Sequence, residues 1–458
     1  MYKKNKHIHF VGIGGIGMSG IAELLLNLGY KISGSDLRDT DITKRLAELG
    51  GEIYKGHHGE WVTGADVVVI SSAVKENNPE VMAAREKFIP VIPRAEMLAE
   101  LMRLKRFGIA VAGSHGKTST TSLIGWVMAQ AGLDPTVVIG GKVNSLGCNA
   151  KLGEGNFLVA EADESDGSFL HLSPVIEVVT NIDLEHLDFY KNIDEIKEVF
   201  LQFIKKIPFY GAVVLCLDDP HIIELLPDIQ KRVITYGMTS QADISAREVH
   251  MEGLVSHFEV YSGRDILGKI ALPLVGVHNI QNCLATVAAC LELDIPFEKI
   301  VSGLETFSGV QRRMEIKGER EGILVVDDYG HHPTEIKATL AAVRSAWPKR
   351  RIVVLFQPHR YTRTQGLLKE FCTAFFEADL LFVTEIYSAG ENKIEGVNAN
   401  ALVECIRMHG HRHVDLAPGV EQIAEHLMPM LEENDLVLTL GAGNIVSAGE
   451  DLLEKLRP

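Results

Sequence analysis

A glycine-rich loop that contains a lysine and a threonine is the first feature of the sequence that could do chemistry. In VAGSHGKTSTT, residues 111–121, Gly116, Lys117 and Thr118 match the end of the common nucleoside-triphosphate loop G-x-x-x-x-G-K-[ST]. The first glycine of that loop is missing at its usual place, and the nearest earlier glycine is Gly113. In such loops the lysine neutralises phosphate charge and the hydroxyl binds Mg²⁺. The segment therefore predicts a shortened triphosphate site.

Two further segments place carboxylates directly after predicted strands. In NFLVAEADESDG an apolar run is followed by acidic residues. TNIDLEHLD begins at the end of another apolar run and continues with acidic residues. An acidic side chain at a strand end near a phosphate loop is a typical metal ligand. A single histidine is usually structural, but the one in TNIDLEHLD lies among carboxylates, so a metal or phosphate role and a structural role both stay open. The residues concerned are Glu161, Asp163, Glu164, Asp166, Asp183, Glu185, His186 and Asp188.

A second glycine loop lies near the start of the chain, in VGIGGIGMSG. Gly12, Gly14 and Gly17 form G-x-G-x-x-G between a predicted strand and a predicted helix, and Asp36 ends the next strand-like run, KISGSD. This arrangement is the dinucleotide-binding fingerprint, in which the helix N-terminus offers free N–H groups to a diphosphate. Any diphosphate-bearing nucleotide meets the same requirement, so the loop alone leaves both NAD(P) and a UDP-sugar open.

The elements that must position these residues alternate between short apolar strands and amphipathic helices along the whole chain. This alternation predicts parallel α/β units. A strand–loop–helix unit begins at each glycine loop, and SGVQRRMEIKGEREGILVVDDYGHHP predicts a hairpin-like connection into a third region. At about 150 residues per domain, 458 residues leave room for about three domains. We predict domains at 1–107, 108–318 and 319–458.

Composition and charge narrow the class of protein. The 46% hydrophobic and 23% charged residues are typical of soluble globular proteins. A formal net charge of -16 argues against a general binder of nucleic acids or anionic membranes, because both need clustered basic surface. No apolar run reaches the ~18 residues of a membrane span, and the N-terminus lacks the features of a signal peptide. We therefore expect a cytoplasmic protein without membrane insertion.

The cysteines predict neither a metal site nor a disulfide framework. They form no C-x-x-C pair, and the spacing of Cys283 and Cys290 fits one face of a buried helix. We expect them all to be reduced. The positions are Cys148, Cys216, Cys283, Cys290, Cys372 and Cys405.

Together the motifs resemble the Mur ligases, the ATP-dependent amide-forming enzymes of peptidoglycan precursor synthesis. That family carries a short loop, G-[TS]-x-G-K-[ST], which accounts for the missing glycine; Ser114 stands where many relatives have threonine and keeps the hydroxyl. The resemblance runs in order through HFVGIGGIGMSGIAE, SGSD, AGSHGKTSTT, EADESDGSFL, NIDLEHLD, GVHNIQN, GVQRRME, VDDYGHHPTEI and FQPHRYTRT. It implies an α/β fold of three domains: an N-terminal Rossmann-like uridine-nucleotide domain, a central P-loop ATPase domain and a C-terminal Rossmann-like domain.

The resemblance also implies roles for individual residues. Those matching the ATP site are Gly113, Ser114, His115, Gly116, Lys117, Thr118, Ser119, His278, Asn279, Asn282, Arg313 and Asp328. Those matching the UDP-sugar and amino-acid sites are Gly12, Gly14, Gly15, Gly17, Met18, Asp36, Ser71, Ser72, Tyr329, His331, Arg360 and Arg363. The Mg²⁺ ligands implied are Thr118, Glu161 and, for a second ion, His186. The catalytic residues implied are Lys117, His186, His331, Arg360 and Arg363. From the residues alone, Asn279 could instead cap a helix, and Asp327 could replace Asp328.

Within the family, the first glycine loop and the C-terminal region match the alanine-adding branch. The reaction implied joins L-alanine to the lactyl carboxylate of UDP-N-acetylmuramate through an acyl phosphate, at the expense of ATP. Positive charge must cancel the repulsion between carboxylate and triphosphate, and a guanidinium fork suits carboxylate binding. Two alternatives stay open: a family member that attaches a preformed tripeptide to the same UDP-sugar, and a nicotinamide-binding oxidoreductase or sensor. We expect a monomer or a weak homodimer.

Overall fold

The computed structural model describes residues 6–71, 73–140, 150–187 and 189–456. In these parts of the chain three β-sheets follow one another along the sequence, and helices pack on each of them. The α/β class and the three-domain organisation are confirmed. The third sheet begins at Glu315, before the predicted boundary at 318, and the boundaries at 107 and 318 stay predictions.

The first sheet positions the N-terminal glycine loop. Its strands are β1 (His7–Val11), β2 (Lys31–Asp36), β3 (Glu52–Lys55), β4 (Val67–Ile70) and β5 (Val91–Pro93), and its helices are α1 (Ile16–Asn27), α2 (Asp41–Glu48), α3 (Pro79–Glu86) and α4 (Arg94–Arg103). All strands are parallel, in the order β3-β2-β1-β4-β5. The order reverses at β1, so the loop between β1 and α1 lies where ligands of such sheets bind.

The central sheet positions the triphosphate loop, which joins its middle strand to a helix. The strands are β6 (Phe107–Ala112), β7 (Thr136–Val138), β8 (Ala150–Lys151), β9 (Phe157–Glu161), β10 (Ile176–Val179), β11 (Ala212–Cys216), β12 (Val233–Gly237), β13 (Ile244–Glu252), β14 (Val255–Ser262) and β15 (Asp265–Leu272). The helices are α5 (Lys117–Gln130), α6 (Ile193–Ile204), α7 (Pro220–Leu225), α8 (Val277–Glu292) and α9 (Phe297–Glu305). The order is β15-β14-β13-β12-β11-β10-β6-β9-β7-β8.

The expectation of parallel units throughout the chain is wrong at both ends of this sheet. Strands β13, β14 and β15 form an antiparallel meander, and β7 pairs antiparallel with β8. Gly253 and Gly263 have φ of 56° and 59° and lie in the turns of the meander. Connections this short can join antiparallel neighbours only, because a parallel pair needs a crossover of a dozen or more residues.

The third sheet and its hairpin carry the C-terminal motifs. The strands are β16 (Glu315–Arg320), β17 (Ile323–Asp328), β18 (Arg351–Phe356), β19 (Leu380–Val383), β20 (Val414–Leu416) and β21 (Asp435–Leu440). The helices are α10 (Pro333–Ala346), α11 (Tyr361–Gly366), α12 (Leu368–Phe371), α13 (Ala399–Met408), α14 (Val420–Leu427) and α15 (Val446–Lys455). The predicted hairpin is confirmed, since β16 pairs antiparallel with β17. Glu321 and Gly322, with φ of 49° and 76°, form its two-residue turn.

The cysteines differ from the prediction at one pair. Cys283 and Cys290 are free and buried in α8, as predicted, whereas Cys372 and Cys405 form a disulfide between the end of α12 and α13. In the structure this pair is oxidised, which differs from the expectation that all cysteines are reduced. The two residues lie 33 positions apart, so their pairing depends on how α12 and α13 pack. Cys148 lies outside the described residues.

The helices are short or carry charged residues. Among the residues that the structure describes, none of the helices combines the length and the apolar character that crossing a bilayer requires.

Candidate active site

The triphosphate loop begins after β6 and ends at the first turn of α5, as the motif predicted. Gly116, the N-cap of α5, has φ of 81°, and a Cβ on it would lie 2.6 Å from Oδ1 of Asn282. Only glycine suits both the left-handed backbone and that close approach. The loop therefore lies directly against α8, which brings the segment VHNIQN next to the N-terminus of α5, where free N–H groups can bind phosphate.

Lys117 is held by oxygen atoms from two segments. Its Nζ donates to the carbonyl oxygen of Gly113 at 2.6 Å and to Oε1 of Glu164 at 2.8 Å. Burial would lower the pKa of Lys117, but the charges of Glu164 and Glu161 outweigh it and raise that pKa. The lysine is thus charged and pre-oriented, and a phosphate can take over hydrogen bonds that carboxylate and carbonyl oxygens now accept.

Thr118 and Glu161 form the ligand set expected for Mg²⁺. The Thr118 hydroxyl donates to Oε2 of Glu161 at 3.0 Å, and the backbone N–H of Gly140 donates to the same oxygen at 2.8 Å. A hydroxyl and a carboxylate beside a triphosphate loop match the oxygen chemistry that Mg²⁺ prefers. The residues present therefore fit a metal ion at this place.

A second group of potential ligands surrounds His186 in the loop after β10. Nε2 of His186 lies 3.5 Å from Oε1 of Glu164 and 3.9 Å from Oε2 of Glu185, and the three side chains place ligand atoms within 4.8 Å of one another. Oε2 of Glu164 is buried and has no hydrogen-bond partner within the described residues. A cation would satisfy this orphaned buried oxygen, so the residues present fit a metal ion, and the metal role of His186 stays a prediction.

A cavity of about 500 Å³ opens beside the loop, at the carboxyl ends of the central strands. Of the predicted ATP residues it is lined by His115, Gly116, Ser119, His278, Asn279, Asn282, Arg313 and Asp328. Burial, followed by the charge of Arg313, lowers the pKa of His278 to about 4. His278 is therefore neutral at pH 7, which suits contact with an uncharged base ring.

The structure decides the alternative role of Asn279. Helix α8 has Gly276 as its N-cap, and Asn279 lies one turn further in, where its Nδ2 donates to the carbonyl oxygen of Val275 at 2.9 Å. The interpretation of Asn279 as N-cap is therefore wrong. Its side chain lines the cavity while that hydrogen bond fixes its orientation.

The side chains of Asp327 and Asp328 lie in different environments, although the two residues are neighbours on β17. Asp328 lines the cavity and accepts hydrogen bonds from the backbone N–H groups of Met314 and Gly330, both at 2.8 Å. Asp327 is fully buried and pairs with Nε of Arg312 at 2.9 Å. Successive side chains of a strand face opposite sides, so only Asp328 can reach a ligand in this cavity.

The third domain contributes the predicted acceptor residues. Arg363 on α11 donates from Nη2 to Oε1 of Glu185 at 2.8 Å, and Nε2 of His331 lies 3.5 Å from the same oxygen. Burial favours the neutral form of Glu185, but the hydrogen bond of His331 and the charge of Arg363 hold its pKa well below the ordinary value. Arg360, with φ of 70°, starts α11, and the Tyr329 ring makes an edge contact with His331. Arg363 and His331 therefore contact the loop of His186.

Two acidic residues organise the contact between the domains: Asp183, which the sequence analysis named, and Glu335, which it missed. Glu335 on α10 lies 3.5 Å from Nδ1 of His115 and 3.6 Å from Nη1 of Arg313, and Asp183 lies 3.0 Å from Nε2 of His115. Burial opposes a charge on His115, but these hydrogen bonds raise its pKa to about 10. The sequence feature that could have identified Glu335 is the capping box of α10, in which His332 is the N-cap and Glu335 is the third helical residue.

Ser114 connects the triphosphate loop to the loop after β10 within the central domain. Its hydroxyl accepts the backbone N–H of Asp183 at 2.8 Å.

The N-terminal glycine loop forms a tight turn that the Asp36 side chain closes. The backbone N–H of Gly14 donates to Oδ2 of Asp36 at 2.8 Å, and a Cβ on Gly14 would lie 2.8 Å from that oxygen. A Cβ on Gly12 would lie 3.2 Å from Oγ of Ser71. The remaining predicted residues of this loop are Gly15, the N-cap of α1; Gly17, beside Arg94; Met18, which is buried; and Ser72, which lies outside the described residues.

Comparison with known proteins covers the whole chain. Residues 7–106 match the Mur ligase family, catalytic domain; 111–290 match the Mur ligase middle domain; and 312–443 match the Mur ligase, glutamate ligase domain. The chain is 63% identical to a UDP-N-acetylmuramate–L-alanine ligase of Desulfotalea psychrophila, over 100% of this chain and 99% of that protein. It is 59% identical to the ligase of the same name from Geobacter sulfurreducens, with the same two coverages.

Solved structures show the same similarity. A UDP-N-acetylmuramate-alanine ligase of Thermotoga maritima is similar with a TM-score of 0.83 and 29% identity, over 98% of both chains. A murein peptide ligase of Psychrobacter arcticus has a TM-score of 0.72 at 24% identity, again over 98% of both chains, which shows a shared fold.

Proposed function

Because this chain belongs to the Mur ligase family, we propose that it joins L-alanine to the lactyl carboxylate of UDP-N-acetylmuramate, converting ATP to ADP and phosphate. Full-length relatives at 57–63% identity carry the name of this ligase. Solved ligases that attach a peptide are 24% and 28% identical to this chain, well below the 57–63% of the relatives named for L-alanine. The nicotinamide alternative leaves Lys117 and Arg363 without a role.

One observation carries the proposal: residues of the ATP loop and of the third domain meet at a single charged centre. Lys117 binds Glu164, Glu164 lies beside His186, and Glu185 binds Arg363. An amide-forming ligase must bring a triphosphate, a carboxylate and an amine together, and each of these needs its own charged partner. The charged side chains of the central and third domains, which converge at this centre, provide these partners.

In the first step, we infer that a lactyl carboxylate oxygen attacks the γ-phosphorus and ADP leaves. Lys117 and the N-terminal N–H groups of α5 bind the triphosphate, and their charge offsets the repulsion between the two anions. Arg313, on the cavity wall with Asp328, adds a fixed charge on the nucleotide side. Thr118 and Glu161 would hold Mg²⁺, with His186 at a second ion, and these ions supply charge neutralisation at the phosphate oxygens.

In the second step, the alanine amine attacks the activated carbonyl and phosphate leaves from a tetrahedral intermediate. Arg360 and Arg363 offer guanidinium groups for the alanine carboxylate and the lactyl end of the sugar. Nη1 of Arg363 contacts Nδ1 of His359 at 3.1 Å. Burial, followed by the charge of His331, lowers the pKa of His359 to about 3, so the ring is neutral and can accept that hydrogen bond. His359 thus orients Arg363.

The third domain also protects the intermediate from water. His331, Arg360 and Arg363 are carried on it, so the acceptor site is complete only when this domain lies against the loop of His186. An acyl phosphate formed before that contact would be open to hydrolysis. With ATP as a substrate, the reaction belongs in the cytoplasm.

The test is phosphate release from ATP with each substrate omitted in turn. We expect release only when ATP, Mg²⁺, UDP-N-acetylmuramate and L-alanine are all present. Equal turnover on a tripeptide and on L-alanine would support the tripeptide alternative, and turnover of NADH would support the oxidoreductase.

A further inference from the structure

The disulfide between Cys372 and Cys405 differs from every other cysteine environment in the described chain. Cys372 is buried at the end of α12, whereas Cys405 is partly exposed on α13. Cys216, Cys283 and Cys290 are free and buried, and burial raises the pKa of each of these thiols. A reagent in solution can therefore reach the Cys405 side of the pair more readily than it can reach these three buried thiols.

The disulfide lies at the end of the segment that carries the acceptor arginines. Helix α11 begins after Arg360 and contains Arg363, and α12 follows it directly and ends next to Cys372. The other cysteine is on α13, which packs against α12. The cross-link therefore fixes the far end of the α11–α12 segment to the body of the third domain.

The same segment contacts the central domain at the loop of His186. Besides the Arg363–Glu185 hydrogen bond, a Cβ on Gly366 would collide with the Leu187 side chain, so α11 lies directly against that loop. Leu367 lines a small cleft together with Leu187 and His186. The packed contacts of α11 therefore connect α12 to the acceptor site, so a change in the mobility of α12 also changes the mobility of that site.

We propose that Cys372 and Cys405 form a reversible thiol-oxidation site that reacts with low-molecular-weight disulfides, and that the cross-link strengthens acceptor binding by holding the α11–α12 segment. The second part rests on the proposed function. A compartment that contains ATP and glutathione-like thiols keeps such a pair reduced at rest, so the cross-link forms when the thiol pool is oxidised.

The chemistry needs two exchange steps and one external disulfide, RSSR. The Cys405 thiolate attacks a sulfur of RSSR, the S–S bond of RSSR breaks, and RS⁻ leaves. The sulfur of Cys372 then attacks the Cys405 sulfur of the mixed disulfide and displaces the second RS⁻. The two protons lost by the cysteines are taken up by the two RS⁻ groups, giving two RSH. The protein is oxidised by two electrons and RSSR is reduced by two.

His409 lies where it can assist the first step. Its Nδ1 is 3.7 Å from Sγ of Cys405 and 2.8 Å from the carbonyl oxygen of the same residue. A protonated imidazole beside a thiol favours the thiolate, which is the attacking species. Replacing His409 by alanine should therefore slow cross-linking without preventing it.

The chemical test uses the full chain, reduced and then treated with oxidised glutathione. Peptide mass mapping without reductant should show Cys372 linked to Cys405, and dithiothreitol should remove the link. Cys290→Ala is the matched control and should still form it, whereas Cys405→Ser and, independently, Cys372→Ala should not. If no Cys372–Cys405 peptide formed, the oxidation site would be disproved. Binding of one equivalent of Zn²⁺ to the reduced chain, lost in Cys405→Ser, would also overturn it, since the cluster with His409 would then be a metal site.

The functional test compares the oxidised and reduced chain in two ways. The oxidised form should have a KM for L-alanine about fivefold lower, the size of a modest coupling between linked sites, and Cys405→Ser should not respond to oxidant. Amide hydrogen exchange of 361–371 should be slower in the oxidised wild type. The exchange measurement needs no turnover, so it stays informative even if L-alanine is not the acceptor. A cross-linked protein with unchanged exchange in 361–371 and unchanged KM would contradict the coupling.

Discussion

Arg363 on α11 donates a hydrogen bond of 2.8 Å to Oε1 of Glu185, which lies in the loop after β10. This bond connects the third domain to the segment that carries His186. Both side chains are largely buried, at 11% and 7% exposure, so solvent screens the pair little. The arginine that we propose for the acceptor carboxylate is thereby held against the loop of His186.

Arg363→Ala should lower kcat/KM for L-alanine by about 30-fold or more, because removing one partner of a buried charge pair costs about 2–5 kcal/mol. Affinity for an ATP analogue, measured by calorimetry, should change little. Arg344→Ala, which breaks an ion pair with Asp379 away from this site, is the matched control. Selective loss of ATP-analogue binding in Arg363→Ala would show that Arg363 serves the nucleotide instead.

Lys117→Met should fold normally and lose ligation by about 100-fold or more in kcat, the usual order for removing a fixed charge at a developing anionic centre. Single-turnover phosphate release measures this. Lys44→Met removes an exposed lysine and should keep the wild-type rate. A Lys117→Met enzyme with most of its activity would mean that the short loop is not the ATP site.

His186→Gly removes the imidazole but keeps the left-handed backbone without strain, since His186 has φ of 54°. We expect a lower kcat and a shift of Mg²⁺ activation to higher concentration, measured by titrating Mg²⁺ at saturating ATP. His186→Ala should behave the same way and be less stable. If only the melting temperature changed, His186 would be a structural residue.

Gly14→Val should abolish binding of the UDP-sugar, because its side chain would overlap the Asp36 carboxylate and occupy the diphosphate turn. UDP-N-acetylmuramate raises the melting temperature of the wild type by mass action, and this shift should disappear while the ATP-analogue shift remains. Gly419→Val, at a position with open space, is the control. A shift with NAD(H) but none with the uridine nucleotide would reverse the assignment of the first loop.

Glu177 should make the folded protein less stable as pH rises. It is fully buried on β10, neither of its carboxylate oxygens has a hydrogen-bond partner within the described residues, and burial raises its pKa well above the ordinary 4.5. Above pH 4.5 the unfolded chain releases this proton while the folded chain keeps it. The free energy of unfolding therefore falls by about 1.4 kcal/mol per pH unit until the folded-state pKa is reached.

Glu177→Gln removes that titration, so the stability difference between Gln and wild type should grow from pH 5 to pH 8 in urea unfolding. Glu198→Gln on the exposed face of α6 should show no such trend. A difference that stayed constant with pH would mean that Glu177 is ionised in the folded state.

Local sequence features predicted those parts of the site that depend on neighbours along the chain. Gly116 and Lys117 are constrained by the turn into α5, and Gly14 by the turn into α1, so their positions at these turns were predictable from spacing alone, while their roles stay predictions. The hairpin before Asp328 was predictable for the same reason. The antiparallel meander was not predicted, because it lies at one edge of a sheet whose central strands are parallel.

Only the tertiary structure decided which segments that are distant in sequence contact one another. Whether Asp327 or Asp328 faces the nucleotide cavity depends on which side of β17 the central domain covers. Glu335 gains its importance because α10 packs against the triphosphate loop, and Cys372 meets Cys405 because α12 packs on α13. Periodicity and motif spacing specify short-range backbone geometry, whereas such pairs depend on how separate layers dock, and no local pattern records that geometry.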